Sequence, residues 1–139
     1  MDRAEKRPST AFTTVDYDRA GKQVGFIMIP HSPNDDAWGA TRIPVAVIAN
    51  GKGPTVIIEG GNHGDEYEGP ITITELIRDL EPGRIQGRLI LLPSINAPAA
   101  MGGQRVSPID GLNFNRTFPG DPHGSITQQI SAYMMDVLF

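Results

Sequence analysis

The segment Thr55-Val-Ile-Ile-Glu-Gly-Gly-Asn-His-Gly-Asp-Glu66 decides how this chain reads. Thr55 to Glu59 is a short apolar run of the kind buried on both faces in a parallel sheet. Gly60, Gly61 and Gly64 follow, and they let the backbone turn sharply where a Cβ would hinder it. His63 and Glu66 lie in that turn. Imidazole and carboxylate are zinc donors, and a catalytic zinc takes three protein ligands while keeping one position open. Spacing alone leaves two readings open: a pair of metal ligands, or an acidic surface loop.

Downstream, Pro70 falls in a first helical turn, and Ile73, Leu76, Ile77 and Leu80 recur at i, i+3, i+4 and i+7. That predicts an amphipathic helix, stopped by Pro82-Gly83. Arg88 to Leu92 reads as a second buried strand. Residues 55 to 92 then form a βαβ unit, a parallel pair joined by a right-handed crossover. Ligands in such sheets sit outside the carboxyl ends of the strands. His63 and Glu66 follow one such end, and Ser94-Ile-Asn-Ala-Pro98 follows the other.

Upstream, Val24 to Ile29 and Ile43 to Ile48 read as strands separated by the turn-rich Pro30-His-Ser-Pro-Asn-Asp-Asp36, and residues 1 to about 13 read as loose. Residues 97 to 124 show no periodicity and are expected to form an ordered functional loop. Ser125 and Gln128 fit a capping box, opening a helix with the apolar face Ile126, Ile130, Met134, Val137 and Leu138. No helix-closing signal follows, so the expectation is a cut inside a larger domain.

The chain has 139 residues, 39% hydrophobic, and a net charge of -4. That suffices for one core and argues against a nucleic-acid or anionic-membrane partner. The absence of cysteine excludes disulfides and thiolate zinc sites and suits the cytoplasm. No apolar run is long enough to span a bilayer, and the polar start lacks the apolar core of a secretion signal. The expectation is a soluble cytoplasmic protein.

In the long loop, Asn115 and Arg116 stand side by side in Asp110-Gly-Leu-Asn-Phe-Asn-Arg-Thr-Phe-Pro-Gly120. An arginine fork beside an amide suits two-point grip on a carboxylate, which lysine cannot reproduce. Arg105, upstream in the same loop, is placed to stabilise a developing oxyanion. Taken singly, each arginine also reads as an exposed salt bridge. His31 and His123 sit in Pro/Gly-containing loops and read as solvated histidines. Asp65 and Glu68 read as surface charge, with orientation of a ligand as the alternative, and Trp38 and Tyr67 as packing residues.

Two other classes compete. A phosphate-binding module shares the outline of strand, glycine-rich turn and helix. Asp65, Glu66 and Glu68, with no Gly-Lys-Ser/Thr, would repel phosphate there. The other alternative is an inactive binding or folding fragment.

The motifs Gly61-Asn-His-Gly-Asp-Glu66, Asn96-Ala-Pro98 and Asn113-Phe-Asn-Arg-Thr-Phe118, in that order, resemble the succinylglutamate desuccinylase/aspartoacylase family of zinc hydrolases, relatives of the zinc carboxypeptidases. The similarity runs from about residue 42 to the end. His31-Ser-Pro-Asn-Asp-Asp-Ala-Trp-Gly39, Gly64-Asp-Glu-Tyr-Glu-Gly-Pro70 and Ser107-Pro-Ile-Asp-Gly111 resemble one branch, the Nα-acetyl-2,4-diaminobutyrate deacetylases of ectoine breakdown.

The resemblance implies an α/β fold, a carboxypeptidase-like αβα sandwich with a mixed, partly parallel sheet, truncated at its C-terminus. Residues 1–41 would be an N-terminal extension with strands, and 42–139 the first part of the catalytic domain. It further implies one Zn²⁺ per complete site, with His63 and Glu66 as the first two ligands. Arg105 would polarise the scissile carbonyl, and Asn115 with Arg116 would hold the substrate carboxylate. A third histidine ligand and a general-base glutamate would lie beyond this segment. The implied reaction removes an acyl group, acetyl in this branch, from a small N-acylated amino acid. The 139 residues alone are expected to be inactive, and assembly into a homo-oligomer is left open.

Overall fold

Five strands form one mixed sheet in a computed structural model that describes residues 8–34 and 39–139. They are β1 Phe12–Thr13, β2 Gly21–Pro30, β3 Ala40–Asn50, β4 Thr55–Glu59 and β5 Gly87–Leu92, in the order β1-β2-β3-β5-β4. β2 and β3 make a long antiparallel hairpin from Gly21↔Ala49 to Pro30↔Ala40. β5 pairs antiparallel with β3 and parallel with β4.

The alternation in β3 explains its central place. Ile43, Val45 and Val47 point to one face, and Ala46 and Ile48 to the other; all five are fully buried. Burying one such Ile or Val side chain contributes about 1.5–3 kcal/mol. On the first face Ile27, Ile29, Ile90 and Leu92 join them and pack against Ile126, Ile130, Tyr133 and Met134. Those four belong to helix α3, Ile126–Tyr133, and to the turn that extends it. On the second face Ala46, Ile48 and Leu91 pack against Ile73, Leu76, Ile77 and Leu80 of and beside helix α1, Glu68–Asp79. Helices thus cover both faces, and the αβα sandwich with a mixed sheet is observed. α1 leaves the β1–β2 part of its face open, where Phe12 is 51% and Val24 69% exposed.

Four expectations need correction. Thr55 to Glu59 is not buried on both faces: among the described residues β4 lies at the sheet edge, paired only to β5, and Val56 is 44% exposed. Phe12 and Thr13 are not loose, since they pair with Met28 and Ile27. The 97–124 segment contains helix α2, Ala97–Gly102, and a 3-10 turn, Phe114–Arg116. Finally, the last helix changes to a π-turn over Met134–Leu138, where each residue advances less around the axis, so Val137 faces out and is half exposed. The capping box holds, with the Ser125 N–H donating to Gln128 Oε1 at 3.0 Å. Trp38 and the first seven residues lie outside the described residues. Among the described residues no helix is long and apolar enough to cross a membrane.

Candidate metal centre

The βαβ unit delivers its turns side by side. Past the end of β4, the Gly60 N–H donates to Leu92 O at 2.9 Å, and Ile95 and Asn96 donate back to Gly60 O and Gly61 O at 2.9 and 3.2 Å. Gly61 has φ +67, a region that favours glycine. Gly64 is pressed against α2, so that a Cβ there would lie 2.0 Å from Ala99 C and 2.1 Å from Ala99 O. α2 itself is fixed by its cap, where Asn96 Oδ1 accepts from the Ala99 N–H and Asn96 Nδ2 donates to Asn62 O. The turn carrying His63 is therefore clamped between strand end and helix.

His63 is only 5% exposed. Its Nδ1 lies 2.9 Å from Glu66 Oε1, and its Nε2 lies 3.1 Å from Asn113 Oδ1. Asn62 Nδ2 sits further off, 3.4 Å from the same Nε2. Asn113 Oδ1 only accepts, so the closer contact needs the proton on Nε2. With the proton there, Nδ1 turns its lone pair toward the Glu66 carboxylate, the arrangement two donors to one metal ion adopt.

At 2.9 Å the pair has the length of a direct hydrogen bond, and a small opening would seat a metal between them. Two atoms each 2.0–2.1 Å from one tetrahedral zinc ion lie about 3.3 Å apart, close to the observed 2.9 Å. A histidine ligand whose second nitrogen is tied to an oxygen is also the usual support for such a site. Glu66 stays anionic: the His63 hydrogen bond outweighs desolvation and, with the charges of His63 and Arg105, lowers its pKa below the ordinary value. Among the described residues no group of three or more His, Cys, Asp or Glu converges.

Arg105 Nη1 donates to Glu66 Oε1 at 3.3 Å, so the structure brings His63, Glu66 and Arg105 together. Asn115 and Arg116 pair with each other instead: Arg116 Nη1 donates to Asn115 Oδ1 at 2.7 Å, and both residues are exposed. They stand on the 3-10 turn, which Phe114 pins by full burial and an edge-to-face contact with Phe118. Asp65 and Glu68 are exposed. So is Tyr67, at 57%, which corrects its reading as a packing residue. His31 follows the last residue of β2, where its N–H donates to Gly39 O, and the His123 N–H donates to Asp121 Oδ1 in a turn before α3. Asn113 had no role in the sequence reading, although it stands in the same Asn-Phe-Asn-Arg motif as Asn115 and Arg116.

The catalytic-domain model of the succinylglutamate desuccinylase/aspartoacylase family matches residues 52–138. The chain belongs to that family. It is 48% identical over 134 residues to the N-alpha-acetyl-L-2,4-diaminobutyric acid deacetylase of Halomonas elongata, an alignment covering 96% of this chain and 39% of the relative. The product-bound ectoine utilization protein EutE from Ruegeria pomeroyi superimposes with a TM-score of 0.93 at 45% identity, over 96% of this chain and 40% of that one. A succinylglutamate desuccinylase/aspartoacylase from Rhodobacter sphaeroides gives 0.90 at 46% identity, over 94% and 40%. The chain thus spans about 40% of the length of these relatives.

Proposed function

We propose that these residues form the first part of a zinc-dependent hydrolase that deacylates small N-acylated amino acids in the cytoplasm. The substrate proposed is Nα-acetyl-2,4-diaminobutyrate, in ectoine degradation. One observation carries the reading: a buried imidazole faces a carboxylate at 2.9 Å while its other nitrogen is held by an asparagine oxygen. The similarity to a deacetylase of that compound, and to an ectoine utilization protein, narrows the class.

His63 and Glu66 would hold the zinc, which when bound supplies a polarised acyl carbonyl and a water of lowered pKa. Asn113 keeps the imidazole in the tautomer and orientation a ligand needs. Arg105 reaches the same carboxylate, and its remaining N–H donors would stabilise the charge gained by the acyl oxygen; losing such a donor costs about 2.7–4 kcal/mol of transition-state stabilisation. Arg116, exposed and backed by the Asn115 amide, offers its fork to the substrate carboxylate and so orients the amide. The third ligand and the general base are assigned to residues outside this segment.

Hydrolysis by the full gene product tests the reading. Acetate release from Nα-acetyl-2,4-diaminobutyrate should exceed release from N-acetylaspartate and succinate release from N-succinylglutamate. No hydrolysis of any N-acyl amino acid by the zinc-loaded protein would overturn it.

A further inference from the structure

The loop that presents Asn113, Asn115 and Arg116 is bolted to helix α3 on both sides of those residues. On one side stands Asp110. Its Oδ2 accepts from the Thr127 N–H at 2.8 Å, and its Oδ1 accepts from the Thr127 hydroxyl at 2.7 Å and from the Leu112 N–H at 3.2 Å. Thr127 is fully buried, in the first turn of α3, where backbone N–H groups lack partners within the helix and the helix dipole favours an anion. On the other side, the Thr117 hydroxyl meets that of buried Ser131 and gives it the one proton it has, in place of Phe114 O at 2.7 Å. Ser131 in turn donates to Thr127 O at 3.1 Å.

Between these two bolts the chain is short. Asp110 is joined to Leu112 by its own hydrogen bond, and the next residue, Asn113, receives His63 Nε2. The turn below is closed by Gly111 N–H to Ser107 O at 2.8 Å and Ser107 N–H to Leu112 O at 3.2 Å. Asn115 and Arg116 follow, exposed and bonded to each other, and α3, Ile126–Tyr133, carries no charged side chain to hold them. Their position is set by the ends of the segment.

We propose that Asp110 is a positioning residue: its carboxylate, seated on Thr127 of α3, fixes the loop so that Arg116 meets the substrate carboxylate and Asn113 meets His63. This deepens the function proposed above and rests on it. A residue that only capped α3 would change stability alone. A residue that sets the loop also changes how tightly substrate is held and, through Asn113, how tightly His63 holds a metal, while both ligands remain on their own turn to bind it when zinc is in excess.

The test compares wild type, Asp110→Ala and Thr127→Val in the full gene product. With zinc in excess, KM for Nα-acetyl-2,4-diaminobutyrate should rise about tenfold or more in Asp110→Ala, and by at least about threefold in Thr127→Val, which keeps the backbone bond to Asp110, with kcat within about threefold in both. Tryptic cleavage of the native protein after Arg105 or Arg116 should accelerate about tenfold, with cleavage elsewhere unchanged. KM and cleavage both within about twofold of wild type would overturn the proposal. So would a loss of activity confined to kcat. If Asp110→Ala does not fold, Thr127→Val decides by the same readouts. If the wild type hydrolyses no N-acyl amino acid, the proposed function fails, and the cleavage rates still decide whether Asp110 holds the loop.

Discussion

His63 Nε2 lies 3.1 Å from Asn113 Oδ1, a contact that joins the turn after β4 to a loop 50 residues further along the chain. It makes the candidate metal ligand and the loop that carries Asn115 and Arg116 parts of one arrangement. The loop cannot shift without freeing the imidazole, and the imidazole cannot turn without losing its proton acceptor.

Removing that acceptor should weaken metal binding without removing a ligand. Asn113→Ala is expected to lower zinc affinity by about 10- to 100-fold. Competition with a chromogenic chelator measures it. An affinity equal to wild type would mean that Asn113 only packs.

Gly64 is fixed by contact rather than by φ. A methyl there would lie 2.0 to 2.4 Å from backbone atoms of Ala99 and Ala100, which cannot rotate away. Gly64→Ala should cost about 1–3 kcal/mol of stability and displace His63 from Asn113. Urea unfolding checks the first part and zinc affinity the second; a variant as stable as wild type would show that the turn and α2 are less closely packed.

Arg116 touches Asn115 and is otherwise open to solvent, so its replacement has little to disturb in the fold. Arg116→Lys keeps the charge and loses the fork. It should lower kcat/KM by about 1.5–3 kcal/mol while leaving the unfolding free energy within about 0.5 kcal/mol of wild type. Unchanged kcat/KM would return Arg116 to the role of a surface charge.

Asp110 gives the fold a specific acid sensitivity. Burial alone would raise its pKa, but hydrogen bonds from the Thr127 N–H and hydroxyl and from the Leu112 N–H outweigh burial and hold it below the ordinary value. The unfolded chain therefore takes up this proton first as pH falls below about 4. The stability that Asp110 contributes is full above that point and is lost as pH drops through the lower, folded value. Between about pH 5 and pH 2, the unfolding free energy of Asp110→Asn should fall less steeply than that of wild type. Parallel curves would contradict the clamp on α3.

What could be read from the sequence was local. The spacing of Ile73, Leu76, Ile77 and Leu80 placed α1, the β-branched runs placed β2 and β3, and the apolar run Arg88 to Leu92 placed β5, because each pattern is decided by which face its own residues bury. The edge position of β4 was not legible: it arises because β5 inserts between β3 and β4, a pairing set by residues about 30 positions apart. α2 was missed because six residues carry no periodicity. Its signals were the Asn96 cap, Pro98 in the first turn and Gly103 with φ +59. His63, Glu66 and Arg105 were named from motif and resemblance, and the fold brings them into contact. Asn113 and Asp110 were not given roles, since their partners, His63 and Thr127, are distant in sequence.

Zinc content tests the central claim most directly. Elemental analysis of the purified full gene product should find about one zinc per chain in the wild type and almost none in His63→Ala. The substitution deletes the buried nitrogen that faces Glu66 Oε1 at 2.9 Å. A full zinc equivalent retained by His63→Ala would contradict the assignment of the metal to this pair.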